Sequence, residues 1–560
     1  MLKRAGVILS GLLLTGVLVQ LPVFPFGGEG VFRSSLAAAA ARLLGQSPER
    51  VGVDATEFLT VRKVATAGVF SLVAAFAVGF WRRESGGWLL AAIPRLSAST
   101  VGVVRIAYAA GLIWALWYTG PVEPGFPLAL HRDAGPLANW SWLHTLAAHD
   151  RASIWIHGAL IGAVAAFGVG VFSRVAVVAV AALTLLQTLV LLQRQSAHDW
   201  GLPLATLFLL TIVPWGDGLS IDAAWRRYRG RPQPLRGMTE YGLSVWIPGF
   251  AMGVAFLAAA FAKLDSSGLA WITGGAARYH FVTDAGQARV DWGLDVAANL
   301  GLAQVASLGA VVFEALFIGN ILARGWVARL MFGIAAAGLL TGFLLFQGVF
   351  WSMWWVMLLA FLPWDLVAHA TAKVLRRDAG PRPSIRRDEV RVDPPAGSME
   401  SGWLRSWQIA VLSAFVLQQV VFSGIRLEME PLVSDYGMYS WTYGSTQEFD
   451  EYLADKRRIW RFEIPGDPTV DVAERLSDMP GATDVITTAI REQRTMTRLT
   501  DPTREAVRAV LDAYQRRYQE SLVALHVTAE EPRFDWASGR FAAHRRADYG
   551  ILPLGMLSTD

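Results

Sequence analysis

Residues 243–263 read LSVWIPGFAMGVAFLAAAFAK, an apolar run with no charged side chain before its last residue, Lys263. About twenty residues of this kind cross the ~30 Å hydrocarbon core of a bilayer as one helix. A charge inside such a helix or at its mouth is costly to bury, so it is a candidate for function. The run therefore predicts a membrane-spanning helix that ends on a titratable side chain.

Apolar stretches of similar length recur along the chain, in which 53% of the residues are hydrophobic and only 17% are charged. We expect a mostly α-helical, multi-pass transmembrane bundle of about 9–13 spans with a small mixed extracytoplasmic C-terminal domain. Many of the 23 tryptophans stand at the ends of these stretches, as in the aromatic belts of membrane proteins. The predicted spans cover residues 5–26, 64–81, 102–119, 153–172, 175–193, 201–215, 243–263, 300–323, 328–347, 349–364 and 406–424.

Charge and cysteine content narrow the classes of function. The net charge of +4 comes mainly from arginines in short loops such as 225–231, which is typical of cytoplasmic loops and unlike a nucleic-acid-binding stripe. The chain has no cysteine, which excludes disulfides, thiolate metal sites and cysteine nucleophiles. The histidines show no metal-ligand spacing. We predict the lipid bilayer as a partner, with no nucleic acid and no metal.

The loop charges also predict the topology, with the amino terminus inside and the loops after Tyr118, Gln193 and Lys263 outside. The chain then divides into an N-terminal transmembrane hairpin and outer loop (1–99), a transmembrane core (100–364), a basic cytoplasmic linker (365–405), a last transmembrane helix (406–424) and an extracytoplasmic tail (425–560). In the tail we predict a strand at 459–464 and amphipathic helices at about 468–495 and 502–527.

Three titratable residues are candidates for chemistry, each with a structural alternative. Lys263, desolvated among apolar side chains, would be a neutral amine and a base; the alternative is a snorkelling interfacial lysine. His198, in a loop predicted on the same side, would stabilise an oxyanion or move a proton, or would only be solvated. Glu314 is a carboxylate within a span, for which the alternative is a hydrogen bond between packed helices.

The order of several short motifs resembles that of a known enzyme family. The chain resembles vitamin K-dependent gamma-glutamyl carboxylase and its bacterial relatives, the horizontally transferred transmembrane domain proteins, over roughly residues 100–365. The residues that carry the resemblance are Ser173-Arg174, His198, Leu219-Ser220-Ile221-Asp222, Ala262-Lys263-Leu264-Asp265, Trp271 and Gly274. The segment from Asp435 to Trp441 is similar to the start of the lumenal portion of the carboxylase; the alternative is an aromatic cluster on the outer leaflet.

This resemblance implies a membrane enzyme that couples oxygenation (epoxidation) of a reduced naphthoquinone to carboxylation of glutamyl residues. Lys263 would take a proton from the quinol, and His198 would stabilise charge. We assign substrate binding to Glu314, Tyr439 and Trp441. The expected cofactor is reduced vitamin K or menaquinone, with O2 and CO2 as co-substrates, and the expected partner is a glutamate-containing peptide or protein. The implied location is a bacterial inner membrane, with the active site on the extracytoplasmic side.

Two further hypotheses belong to other classes. The chain departs from the family in having Ala262 where the carboxylase has a second lysine. The second hypothesis is therefore a non-catalytic membrane protein that binds a peptide or lipid through its tail. Lys263 would then be an interfacial anchor. A transporter is the third hypothesis, supported by Glu314 and the number of spans, although the sequence shows no paired broken helices.

Overall fold

The computed structural model describes residues 92–122, 140–149, 151–192, 198–232, 234, 236–377, 406–425, 442–456, 459–464, 472–477, 479, 482–495 and 501–553. The predicted spans 5–26 and 64–81 lie outside these residues, as do most of the predicted linker 365–405 and the segment 435–441.

The chain is a bundle of apolar helices followed by a small α/β domain, which confirms the predicted fold class. In the described part of the chain six helices are long and apolar enough to cross a bilayer, namely α1, α3, α4, α7, α11 and α12. The helices of the bundle are α1 (Ala98–Thr119), α2 (Ser141–Ala148), α3 (Ala152–Val169), α4 (Ser173–Leu192), α5 (His198–Leu210), α6 (Ile221–Tyr228), α7 (Met238–Ser267), α8 (Ala270–Thr273), α9 (Ala277–Asp284), α10 (Trp292–Ala298), α11 (Leu300–Phe317), α12 (Trp326–Gln347), α13 (Ser352–Met357), α14 (Trp364–Arg377) and α15 (Ser406–Ile425).

Two stretches predicted as spans have a different structure. The stretch 201–215 forms α5, whose 13 residues extend only about 20 Å at ~1.5 Å per residue. The stretch 349–364 is broken, because the helices Ser352–Phe361 and Trp364–Ala370 meet at an angle of 79°. Pro363 stands at the bend and has no backbone N–H with which to continue a helix. Hydropathy detects an apolar run, but it does not detect a short helix or a break within the run.

Helix α7 is the centre of the bundle. It packs against α1, α5, α11 and α15, and its buried side chains include Phe250, Met252 and Phe256. The Trp246 ring stacks on Phe250 at 4.9 Å between centroids, and its Nε1 donates to the Ile321 carbonyl just beyond α11. These contacts fix α7 and α11 side by side, which positions the site described below.

A buried arginine organises the opposite end of the bundle, near the start of α7. Arg105 is fully buried and donates to four backbone carbonyls, at 3.3 Å to Gly168, 2.7 Å to Trp215, 3.3 Å to Gly218 and 2.6 Å to Leu219. A guanidinium has five N–H donors and must be paired when it leaves water. One side chain thus ties α1 to the end of α3 and to the loop after α5.

The first turn of α4 is capped from a distance by Asp222. Its carboxylate accepts from the Phe172 N–H at 2.9 Å, from the Ser173 N–H at 2.8 Å and from the Ser173 hydroxyl at 2.7 Å. The N-terminal N–H groups of a helix have no partner within the helix, and a carboxylate there also meets the favourable end of the helix dipole. Ser173 and Asp222, two of the residues that carry the family resemblance, are therefore in direct contact.

The C-terminal domain, here called the tail domain (residues 442–553), combines helices with one antiparallel sheet. Its elements are α16 (Thr446–Lys456), β1 (Ile459–Glu463), α17 (Val472–Ser477), α18 (Ala482–Thr495), α19 (Asp501–Tyr518), β2 (Ala524–Asp535) and β3 (Arg540–Pro553). The strand order is β1-β2-β3, and Ile459 pairs with Glu530.

Within the tail domain the predicted strand is confirmed as β1, while both helix predictions need correction. The stretch 468–495 contains two helices, α17 and α18, and α19 ends at Tyr518 rather than near residue 527. Residues 524–527 begin β2, in which buried and less buried side chains alternate at first. An alternation of period two is typical of a strand and cannot serve one face of a helix.

The tail domain packs on the segment that follows α7. Tyr279 of α9 is fully enclosed by tail rings, with centroid distances of 4.8 Å to Phe449, 5.1 Å to Tyr443 and 5.8 Å to Trp536. The guanidinium of Arg278 lies 5.0 Å from the Trp536 ring centroid. The tail domain and the Lys263 end of α7 therefore lie on the same side of the bundle.

Candidate functional site

The candidate site is a buried ion pair between the last turns of α7 and the last turn of α11. Lys263 Nζ lies 2.9 Å from both carboxylate oxygens of Glu314, and the two residues are 4% and 5% exposed. They are 51 positions apart in sequence. Two residues that the sequence analysis selected separately thus form one contact.

The spacing of buried residues explains why these two side chains meet. On α7, Phe256, Ala260 and Lys263 are buried at steps of four and three, which is one face of a helix. On α11 the same steps connect Ser307, Val311 and Glu314, all buried. The two faces oppose each other along the α7–α11 seam, and the charged pair lies within it.

An aromatic side chain closes the site toward the end of α7. The chain turns after α7, and Trp271 in α8 brings its ring to 5.4 Å from Lys263 Nζ, within the range of a cation–π contact. Trp271 is 2% exposed and packs with Ala276 and Val311. The Ser307 hydroxyl accepts the Ala277 N–H at 3.0 Å and so attaches the turn to α11. Trp271 was among the residues that carry the family resemblance.

His280 is a residue that the sequence analysis missed. Its imidazole is 5% exposed and stacks on Trp271, with 6.5 Å between ring centroids and 27° between planes. It therefore lies on the ring that in turn contacts Lys263. No spacing or motif marks this histidine, and the only signal in the sequence is that it falls in the segment directly after the Lys263 span.

His198 is the first residue of α5, and its side chain lies outside the described residues. The neighbouring Asp199 carbonyl accepts from Trp354 Nε1 at 2.9 Å, and the Trp354 ring is 5.8 Å from that of Phe256, two turns before Lys263 in α7. The start of α5 thus belongs to the same end of the bundle as Lys263.

Two of the predicted substrate-binding residues, Tyr439 and Trp441, lie outside the described residues, so the structure does not test them. Glu314, the third, points into the α7–α11 seam, where its carboxylate accepts from Lys263. The structure therefore gives Lys263 a carboxylate partner that the sequence analysis did not assign to it. A pair of this kind carries no net charge, which is the form in which ionisable groups are best tolerated within an apolar bundle.

An ion pair of an amine and a carboxylic acid has two forms that differ only in the position of one proton. In the first, an ammonium donates two hydrogen bonds to a carboxylate; in the second, a neutral amine accepts from a neutral carboxylic acid. Both states have zero net charge, so moving the proton requires no separation of charge in the low-dielectric interior. In the second state the lone pair of Lys263 Nζ accepts the Glu314 hydroxyl, and the amine becomes a base for another group once it turns away from that hydroxyl.

No protein-family model, curated protein or solved structure matches this chain.

Proposed function

We propose that this chain is a membrane enzyme of the gamma-glutamyl carboxylase type, which couples epoxidation of a reduced naphthoquinone to carboxylation of glutamyl side chains. The observation that carries the proposal is the buried Lys263–Glu314 pair beneath Trp271. A buried amine with an adjacent proton acceptor is the arrangement that a general base needs.

The side chains at the site have the chemical groups that could bind a naphthoquinol. Phenolic hydroxyls donate to a carboxylate or an amine, which are the two groups of the ion pair. One side of α11 also exposes Val305, Val312 and Leu316, which suits contact with lipid. Only α11 therefore separates the ion pair from the bilayer, in which a lipid-soluble quinol dissolves.

When bound, the reduced naphthoquinone would react with oxygen and supply the strong base that removes a γ-proton from a glutamyl side chain, whose carbon then adds CO2. The chain's own residues move one proton and hold charge. Transfer from Lys263 Nζ to a Glu314 oxygen leaves Nζ neutral and able to take a hydroxyl proton. Glu314 keeps the first proton, so the site gains only one positive charge in the step. Trp271 excludes water above Nζ, and His198 would stabilise the developing negative charge.

The orientation in the membrane is part of the proposal. The segment 225–231, which includes the end of α6, is rich in arginine and lies at the end of the bundle away from Lys263. Arginine-rich connections between spans favour the cytoplasmic side. With that segment inside, the ion pair and the tail domain face the extracytoplasmic side of a bacterial inner membrane. Menaquinone would reach the pair from the bilayer, and a glutamate-containing peptide would reach it from water.

The test is oxygen-dependent conversion of reduced menaquinone or vitamin K to its epoxide by the purified protein, with a glutamate-rich peptide and labelled bicarbonate. We expect Lys263→Met to lower epoxide formation by about 10²–10⁴-fold, the usual contribution of a general base. Lys373→Met is the matched control, because Lys373 is an exposed lysine of α14. The double variant Lys263→Met/Glu314→Leu removes the whole pair without leaving a buried charge, so inactivity of this variant with unchanged stability would come from loss of the base.

A second candidate is a non-catalytic membrane protein that binds a peptide or lipid through the tail domain. The ion pair is compatible with this candidate too, since the hydrogen bonds between Lys263 and Glu314 are sufficient to join α7 to α11 without any chemical role. No epoxide from the wild type with either quinol, or equal rates for wild type and Lys263→Met, would favour this candidate. Label in the peptide that depends on Lys263 would exclude it.

A further inference from the structure

A cavity lies at the end of the bundle opposite the ion pair. Its volume is about 440 Å³, and it opens between the start of α4 and the segment from Pro214 to Arg236, which contains α6. Its charged lining consists of three arginines, Arg174, Arg226 and Arg236, and two aspartates. The proposed reaction uses none of these residues.

The two aspartates of the cavity are already engaged by the protein. Asp217 accepts from Arg236 Nε at 2.6 Å, from Arg226 Nη2 at 3.1 Å and from the Tyr241 hydroxyl at 3.2 Å. Asp222 accepts the three donors at the start of α4 described above. Both carboxylates are therefore held in place by hydrogen bonds, and Asp217 is in addition paired with two arginines.

The arginines keep donors that the aspartates do not use. Arg226 reaches Asp217 and the Gly216 carbonyl through Nη2, and Arg236 uses Nε and Nη1, the latter on Glu240 at 3.3 Å. Arg174 is exposed at the cavity, and no acidic side chain in the described part of the chain lies within ion-pair distance of it. Guanidinium groups with spare N–H donors bind phosphate oxygens well.

The rim of the cavity is apolar and aromatic. Phe172 is 74% exposed and Trp225 is 54% exposed, and both line the opening. Trp225 stacks on Tyr228 at 5.7 Å between centroids, and the Arg229 guanidinium lies 4.7 Å from the Trp225 ring. Exposed aromatic rings beside arginines are typical of the membrane interface. A site for a phosphate ion from bulk water would not need such a rim.

We infer that this cavity binds the phosphate of an anionic glycerophospholipid from the adjacent leaflet. Arg174, Arg226 and Arg236 would face the phosphate, and Phe172 and Trp225 would contact the glycerol and the upper acyl chains. The inference does not depend on the proposed reaction, because the two sites lie at opposite ends of the bundle.

The test compares lipid binding to the detergent-purified full-length protein by native mass spectrometry, with dioleoyl-phosphatidylglycerol, dioleoyl-phosphatidylcholine and inorganic phosphate as separate probes. We expect phosphatidylglycerol to bind most tightly and Arg174→Gln to weaken it about tenfold, which corresponds to about 1.4 kcal/mol. Arg174→Lys should restore part of the loss, since it keeps the charge. Arg227→Gln is the matched control, because Arg227 is an exposed arginine of α6 that does not line the cavity.

Each other outcome would overturn the inference. Equal weakening by Arg174→Gln and Arg227→Gln would mean that only the general positive charge of this surface attracts lipid. Equal affinity for the two lipids would exclude selection of an anionic headgroup. Binding of inorganic phosphate that competes fully with phosphatidylglycerol would indicate a site for a soluble anion. Unchanged phosphatidylglycerol binding in Arg174→Gln would mean that the lipid phosphate does not bind in this cavity.

Discussion

Removing one member of the Lys263–Glu314 pair should destabilise the protein more than removing both. Lys263→Met leaves the Glu314 carboxylate, in a residue only 5% exposed, without its cation. Loss of one partner from a buried pair typically lowers the free energy of unfolding by about 3–5 kcal/mol, whereas replacing both partners by apolar residues is often neutral. We therefore expect about 3–5 kcal/mol for Lys263→Met or Glu314→Leu, and less than about 2 kcal/mol for the double variant.

The assay is equilibrium unfolding of the purified protein in mixed micelles, titrated with sodium dodecyl sulfate and followed by tryptophan fluorescence. The four proteins form a double-mutant cycle, in which non-additivity isolates the interaction of the pair. Lys373→Met should stay within about 0.5 kcal/mol of the wild type, as exposed substitutions do. The reasoning would be refuted if both single variants stayed within about 1 kcal/mol of the wild type, since the pair would then be hydrated rather than buried.

The remaining predictions concern the helix ends and the tail domain. Gly170→Ala should lower the free energy of unfolding by more than about 2 kcal/mol, because φ is 74° and a Cβ would come within 2.5 Å of the Ser220 Cβ. Gly120→Ala should lower it by only about 1 kcal/mol, because φ is 66° but the space around Gly120 is open. Thermal denaturation compares the two variants. Asp222→Ala should lower stability by about 1–3 kcal/mol by leaving the N–H groups of α4 unpaired, and Asp222→Asn should lose less, by the same measurement. Burial raises the pKa of the Asp450 carboxyl, and this effect exceeds the opposite effects of the hydrogen bond from Trp536 and the nearby Arg533 charge. The folded tail domain therefore binds this proton more tightly than the unfolded chain does. Its stability should fall as pH rises above the ordinary aspartate pKa. Asp450→Asn should remove that loss, which hydrogen exchange of the β2 peptides at pH 4 and pH 7 measures.

The transmembrane architecture could be predicted to within a few residues at most helix ends. The span 243–263 lies within α7, and 328–347 corresponds to α12, because hydrophobicity is a local property that one window of sequence records. The breaks were not predicted. The bend at Pro363 and the shortness of α5 depend on contacts with neighbouring helices, which pair the backbone polar groups and shield them from lipid. A single window of sequence does not contain these contacts.

The sequence predicted which residues form the site, but not which of them contact each other. Lys263 and Glu314 attract attention one at a time, since each is a charge in an apolar helix. Their contact depends on which faces of α7 and α11 oppose each other, and helical periodicity gives the face but not the partner. His280 could not be selected at all, because its proximity to Lys263 exists only through Trp271.

The carbonyl partners of Arg105 have a consequence for how the chain enters the membrane during synthesis. The nearest of them in sequence, Gly168, is made 63 residues after Arg105, and the farthest, Leu219, 114 residues after it. An arginine in a lone helix opposes insertion by about 2.5–3.5 kcal/mol when it lies at the helix centre. Until residue 219 has emerged from the ribosome, α1 must hold its guanidinium at the water interface or remain beside the translocon. We therefore expect integration of α1 to be completed late, together with α3 and the loop before α6, so that these segments enter the bilayer as one cooperative unit.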